Sequence, residues 1–228
     1  MQYTIFGQNS RQGSYILLIQ LTRRIEVSFG KFRNGAAIEL QPGHYLYVGS
    51  ALGGTKGHFP IASRLLRHAS RSDGKAAHAL RSALLDLFIS WGYCPPDVQR
   101  SKKLHWHIDY LLDHKDAEIE HLFLFPGASK LEPHLAALLD SMPETSTVAN
   151  RLGAQDAASG THLFRIDNTA GVLERFEACT ADYRSLLAQS HTVCTSVYAA
   201  EVPEIKEREI PVICYDIIFY GISIFSFL

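Results

Sequence analysis

The sequence predicts an α+β fold, a small and mainly antiparallel sheet flanked by helices, and three observations carry that prediction. Apolar residues between positions 13 and 49 run together or alternate at period two across short connections, as the strands of adjacent hairpins do. From position 60 the apolar spacing changes to i, i+3, i+4, i+7, the pattern of a helix with one buried face. Beyond position 104, strand-like and helix-like stretches follow one another, which fits helices packed on a sheet.

Residues 14–21, SYILLIQL, form a nearly continuous apolar run, expected of a strand covered on both faces. In 25–30, IEVSFG, Ile25, Val27 and Phe29 share one side of an alternating strand. FRNGAAIEL at 32–40 carries an Asn34-Gly35 turn signal, and QPGHYLYVG at 41–49 passes through Pro42-Gly43 into a further strand. In PIASRLLRHASR, 60–71, the apolar set is Ala62, Leu65, Leu66 and Ala69, and the opposite face carries Arg64, Arg67, His68 and Arg71. Pro60 suits a first helical turn. A second helix is expected over 75–91, ending before Gly92 and the Pro95-Pro96 pair. LHWHIDYLL (104–112) and EIEHLFLF (118–125) read as strands, LEPHLAALLDSM (131–142) as a helix, and THLFRI (161–166) as a last strand. After about residue 168 the pattern loosens into a helical stretch over 172–189 and an apolar tail, VICYDIIFYGISIFSFL.

The chain of 228 residues has net charge −1, 46% hydrophobic and 20% charged residues, so it is not a polycation that coats nucleic acid indiscriminately. The positive charge is local. Arg64, Arg67, Arg71, Lys75, Arg81, Arg100, Lys102 and Lys103 face only Asp73, Asp86 and Asp97 between positions 64 and 107. Such a patch can hold phosphates in a neutral protein, because salt screens charges beyond about 10 Å; it is equally the composition of a solvated face. Cys94, Cys179, Cys194 and Cys214 show no CxxC spacing and the first residues show no apolar leader, so a reduced cytoplasmic compartment is expected. The apolar tail is short of the roughly 20 residues of a bilayer-crossing helix, and a membrane association is not expected.

GSY at 13–15, YLYVGSALGG at 45–54 and RLLRH at 64–68, followed by KLHWHIDYLL at 103–112 and GTHLFRI at 160–166, resemble the GIY-YIG endonuclease superfamily, and within it the small single-module Uri-type nucleases. The resemblance covers residues 10–168, taken as the nuclease domain, with a helical insertion at about 74–99 that relatives lack and a C-terminal extension, 169–228, that matches nothing in the family. It implies a three-stranded antiparallel sheet flanked by helices and metal-dependent hydrolysis of phosphodiester bonds in DNA, possible targets being structured or damaged sites. Tyr15 and Tyr47 take the places of the motif tyrosines, one of which acts as or helps to activate the general base. Gly49 lets the backbone pass close to the active-site groups, and Arg64 takes the place of the arginine that holds the scissile phosphate. Glu132 is the candidate metal ligand, for Mg²⁺ or Mn²⁺, with no small-molecule cofactor implied.

Those residue types suit the chemistry. Hydrolysis needs an activated water, neutralised phosphate charge and a stabilised leaving oxygen. Arginine offers phosphate a permanently charged fork. A phenol with a free pKa near 10 is a poor base unless cations favour its phenolate, so Arg64 and the metal are expected to lower it. Ser50, Arg67, His68, Arg71, Lys103, His105 and His107 complete a candidate phosphate and DNA surface.

Each assignment has a plainer counterpart. The tyrosines could be strand packing, Gly49 a strand-end glycine, and Arg64 one solvated residue of a basic face. Ser129-Lys130-Leu131-Glu132 matches a capping box, with Pro133 tolerated in the first turn, so Glu132 could simply cap its helix. On a strand, His105, His107 and Asp109 would share one side and could bind zinc, orient the tyrosines, contact DNA or form a polar network. The Pro133 position and the insertion also admit a nucleic-acid-binding or regulatory module without cleavage.

Overall fold

The computed structural model describes residues 2–53, 59–93, 102–153, 161–172 and 174–175. The chain divides into two compact units, Met1–Thr169 and Ala170–Leu228. All four cysteines, the apolar tail, most of the helical stretch expected over 172–189 and residues 94–99 of the insertion lie outside the described residues.

The first unit is built on a six-stranded sheet. Its strands are β1 (Tyr3–Ile5), β2 (Gly13–Leu21), β5 (Gly43–Ala51), β6 (Ala117–Pro126), β7 (Thr145–Thr147) and β8 (Leu163–Ile166), in spatial order β1-β6-β2-β5-β8-β7. β3 (Ile25–Ser28) and β4 (Ala37–Leu40) form a separate hairpin. Among the described residues four α-helices, α1 (Pro60–His68), α2 (Leu80–Ser90), α3 (His107–Leu112) and α4 (Glu132–Ser141), and a 3-10 turn at Phe32–Gly35 accompany them. All pairings in the large sheet are antiparallel except β1 with β6. The sheet is thus mixed but mainly antiparallel, and it has six strands where the family resemblance implied three. Only the central trio β6-β2-β5 corresponds to that expectation.

β2 sits between β6 and β5 as a central strand, which fits its nearly continuous apolar run from Tyr15 to Ile19. Its odd positions, Tyr15, Leu17, Ile19 and Leu21, join Tyr45 and Tyr47 of β5 in one core with Ile61 and Leu65 of α1, Leu84 and Phe88 of α2, and Ile108 and Leu111 of α3. The even positions Ile16 and Leu18 are buried on the other face, with Leu46 and Val48 of β5. There α4 packs on β5 and β7 and buries Leu135, Leu138 and Leu139. Each such buried aliphatic side chain contributes about 1.5–3 kcal/mol. In β6 the register steps from Leu18↔His121 to Ile19↔Ile119, leaving Glu120 as a bulge. The bulge keeps Ile119, Leu122 and Leu124 on the same core face despite their changed spacing.

Three local expectations need correcting. Residues 104–112 do not form a strand: α3 begins at His107. The Asp109 carboxylate accepts the backbone N–H groups of His105 (3.0 Å) and Trp106 (2.9 Å), satisfying donors at a helix start. Ile108, Leu111 and Leu112 then fall on one buried helical face. The second helix starts at Leu80, five residues later than expected, because Lys75 and His78 are drawn off to Asp113 and to the Leu112 carbonyl. Glu118 on β6 caps its start, accepting the Ala79 N–H at 2.7 Å. Finally, the N-cap of α4 is Leu131, without a side-chain cap, so the capping-box reading of Ser129 and Glu132 does not hold. Among the described residues no helix is long and apolar enough to cross a membrane.

Candidate active site

Tyr15 lies directly opposite Gly49 in the β2–β5 ladder. A Cβ at Gly49 would stand 2.5 Å from both Cζ and Oη of Tyr15, so only glycine lets the Tyr15 ring lie across β5. Tyr47, two residues earlier on the same face, places its ring centroid 6.4 Å from that of Tyr15. The His68 imidazole, from the end of α1, completes a triangle at 5.8 Å from Tyr15 and 6.1 Å from Tyr47.

Hydrogen bonds link this cluster inward. Tyr15 Oη is 2.9 Å from His68 Nε2, and His68 Nδ1 is 3.2 Å from Asp109 Oδ1. Burial works against ionised Asp109, but the bond from His68 and those from the His105 and Trp106 amides hold its carboxyl well below the usual range. Arg67 donates to its Oδ2, and the buried Lys102 ammonium lies 3.9 Å from Oδ1. An ionised carboxylate only accepts, so His68 carries its proton on Nδ1. Nε2 is therefore the acceptor and Tyr15 the donor. Burial pushes the His68 pKa down against the pull of Asp109, so the imidazole is neutral at rest. Burial likewise brings Lys102 down to about 8, although Asp109 and Asp113 oppose it.

Arg64, Glu132, Ser50 and His162 border the two tyrosines. Arg64 acts electrostatically on both, lowering their pKa, while Glu132 raises it. Burial is the largest influence on each phenol and pushes both above their ordinary value. Arg64 thus acts in the expected direction, but by itself the guanidinium is outweighed by desolvation. Glu132, at the first turn of α4, accepts a hydrogen bond from Ser50 and sits 3.4 Å from His162 Nδ1. β5 outruns β8 at this point, the ladder ending at Tyr47↔Leu163. The Glu132 carboxylate meets β5 at Ser50, beyond that end, and stays 17% exposed. One accessible carboxylate beside a serine hydroxyl is a donor set that suits a hard cation, which fills its remaining positions with water and phosphate oxygens. The zinc trio does not form, since Asp109 turns inward while His105 is exposed. Among the described residues no three His, Cys, Asp or Glu side chains gather in a metal-holding group.

The candidate DNA-binding residues separate in the same way. Ser50, Arg64, Lys103, His105 and His107 keep some exposure. Arg67 is tied to Asp109 and the Lys103 carbonyl but is 29% exposed. His68 is buried behind Tyr15, and Arg71, only 6% exposed, is held by Glu118 at 2.8 Å and by the Ala76 and Ala117 carbonyls. Neither has surface to offer a phosphate, so their assignment to the DNA surface is corrected: each is an interior strut. His107 accepts the Gly153 N–H at 3.1 Å and meets Phe32 edge-on.

Of the roles open to Asp109 in the sequence, the polar network that orients a tyrosine is the one present, through His68, 41 residues distant. Two neighbours carry no assigned role in the sequence reading. His162, at the head of the last strand, lies against Glu132. Trp106 received no role, yet Arg64 Cζ lies 4.1 Å from its ring centroid.

The fold and site define a mixed α/β domain with a buried tyrosine–histidine–aspartate chain next to an arginine and a semi-exposed glutamate. The chain belongs to the DUF123 family, a domain of unknown function, whose family model matches residues 14–185. No curated protein and no solved structure matches it.

Proposed function

We propose that the protein is a divalent-metal-dependent endonuclease of the GIY-YIG kind that hydrolyses phosphodiester bonds in DNA. The observation that carries this reading is the convergence of Tyr15, Tyr47, Arg64 and Glu132, from β2, β5, α1 and α4, within electrostatic reach of one another. Arg64 neutralises the non-bridging oxygens of the scissile phosphate. The attacking water gives a proton to Tyr15 Oη as Tyr15 passes its own to His68 Nε2, and the new imidazolium is stabilised by Asp109. The water oxygen forms the new bond to phosphorus while the bond to the leaving sugar oxygen breaks. Mg²⁺ or Mn²⁺ held by Glu132 would supply charge neutralisation at the phosphate and leaving oxygen. A reduced cytoplasmic compartment belongs to the same reading.

Plasmid and structured DNA are incubated with the protein and Mg²⁺, beside Arg64→Ala and Glu132→Gln and with EDTA. Cleavage is expected to fall by at least about 100-fold in both variants and to stop with EDTA; cleavage unchanged in both variants would refute the site. The complete burial of Tyr15 favours a second reading, a nucleic-acid-binding module without cleavage. Salt-sensitive binding with no cleavage under either metal would establish it.

A further inference from the structure

Large apolar side chains exposed among the described residues are few: Ile89, Leu104 and Trp106. Two of the three lie in the short segment that leads into α3, beside Arg64. Trp106 is 36% exposed, with the Arg64 guanidinium 4.1 Å from its ring centroid and the His105 ring edge-on at 4.8 Å. Its backbone is fixed as well. The Asp109 carboxylate that receives His68 also accepts the Trp106 and His105 amides. One side chain therefore ties the indole to the tyrosine–histidine chain.

We propose that Trp106 is a stacking platform for an unpaired nucleobase adjacent to the scissile phosphate, which makes single-stranded or locally unpaired DNA the substrate class. The inference rests on the nuclease reading of the neighbouring site. A phosphate held by Arg64 puts its own nucleoside within one nucleotide's length of the indole that Arg64 touches. Aromatic side chains stack bases regardless of sequence, but only bases whose faces are free. A base inside a duplex already has both faces covered by its neighbours. The arrangement thus selects for an unstacked nucleotide without reading its identity.

The protein has two tryptophans, so Trp91→Phe leaves Trp106 as the sole indole reporter; Trp91 packs against Phe88 and Tyr93, away from this role. In EDTA, the Trp91→Phe protein is titrated with a 12-nucleotide thymidine strand, the same strand made abasic, and a hairpin duplex, with indole fluorescence and the anisotropy of a fluorescein label on the DNA read together, the label alone reporting on the Trp106 variants. The thymidine strand is expected to quench the indole and bind about 5- to 150-fold more tightly than the abasic strand. Trp106→Ala should remove that difference and Trp106→Phe should keep most of it, with circular dichroism checking that each variant is folded. Equal binding of thymidine and abasic strands, or a Trp106→Ala protein that still prefers bases, overturns the platform. If both strands bind equally and Mg²⁺-dependent cutting of plasmid persists, the platform alone has failed. If no DNA binds at any salt concentration, the nuclease reading has failed with it.

Discussion

Replacing Gly49 by alanine adds a single methyl group, and the structure fixes where it goes. The new Cβ would meet the Tyr15 ring at 2.5 Å from Cζ and Oη and 2.8 Å from Cε2. Tyr15 is fully buried, and its hydroxyl is engaged with His68, so the ring cannot swing away without breaking that bond. Forced overpacking of this kind costs about 1–3 kcal/mol, measurable by urea unfolding. Displacing the hydroxyl by even about 1 Å should lower cleavage about 100-fold. A second background isolates the cause. In Tyr15→Leu the ring atoms are gone, and Gly49→Ala should then be neutral or stabilising by about 0.5–1 kcal/mol, as expected for alanine replacing glycine in a strand. An equal loss of stability in both backgrounds, or no loss beside native Tyr15, would refute the steric argument.

Stability should fall as the solution is acidified because of His78. Its Nε2–H donates to the Leu112 carbonyl at 2.9 Å, and its Nδ1 accepts the Ile119 N–H at 3.2 Å, a set of bonds that only the neutral ring can make. Burial, then Arg71, bring it down to about 4. A folded-state value below the unfolded 6.5 means that the unfolded chain takes up the proton first. The contribution is complete above pH 6.5 and is lost as pH falls towards 4, amounting to about 3 kcal/mol. His78→Gln should flatten the dependence of Tm on pH between 7 and 4.5; an unchanged slope would contradict the assignment. Asp109→Asn removes the charge that favours protonated His68. It should lower kcat by about 100-fold or more and move the acidic limb of the kcat–pH profile to lower pH, and a shift upward would reverse the proposed direction of the relay.

The strands were legible because burial on one or both faces leaves a period of two or an unbroken apolar run, as in 14–21 and 25–30. β1 and β7, of three residues each, are too short to show any period. The 104–112 segment misled for a definite reason. His105, His107 and Asp109 alternate like the polar face of a strand, while the helical signal, Ile108 with Leu111 and Leu112, spans little more than a turn. Asp109 three residues after Trp106 was the available clue, hidden because the N-cap is not Ser, Thr, Asp or Asn. Motif spacing singles out Tyr15, Tyr47, Gly49 and Arg64, which the fold brings near one another. Asp109's partnership with His68 and Glu132's with Ser50, 41 and 82 residues apart, arise from topology and leave no local trace. Arg71 was misassigned because a one-dimensional helical face cannot reveal that Glu118 and two carbonyls cover it.

The pairing of β1 with β6 has a consequence for how the molecule behaves among copies of itself. β1 sets Tyr3, Thr4 and Ile5 beside Leu122, Phe123 and Leu124, the most apolar part of a ten-residue strand. Without that cover, β6 would offer an unpaired backbone of high β-propensity to any other chain, the condition that seeds aggregation. The first strand is thus a guard as well as a part of the sheet. Removing residues 1–8 should leave the tyrosine–histidine–aspartate cluster intact while making the protein prone to sheet-to-sheet self-association at high concentration.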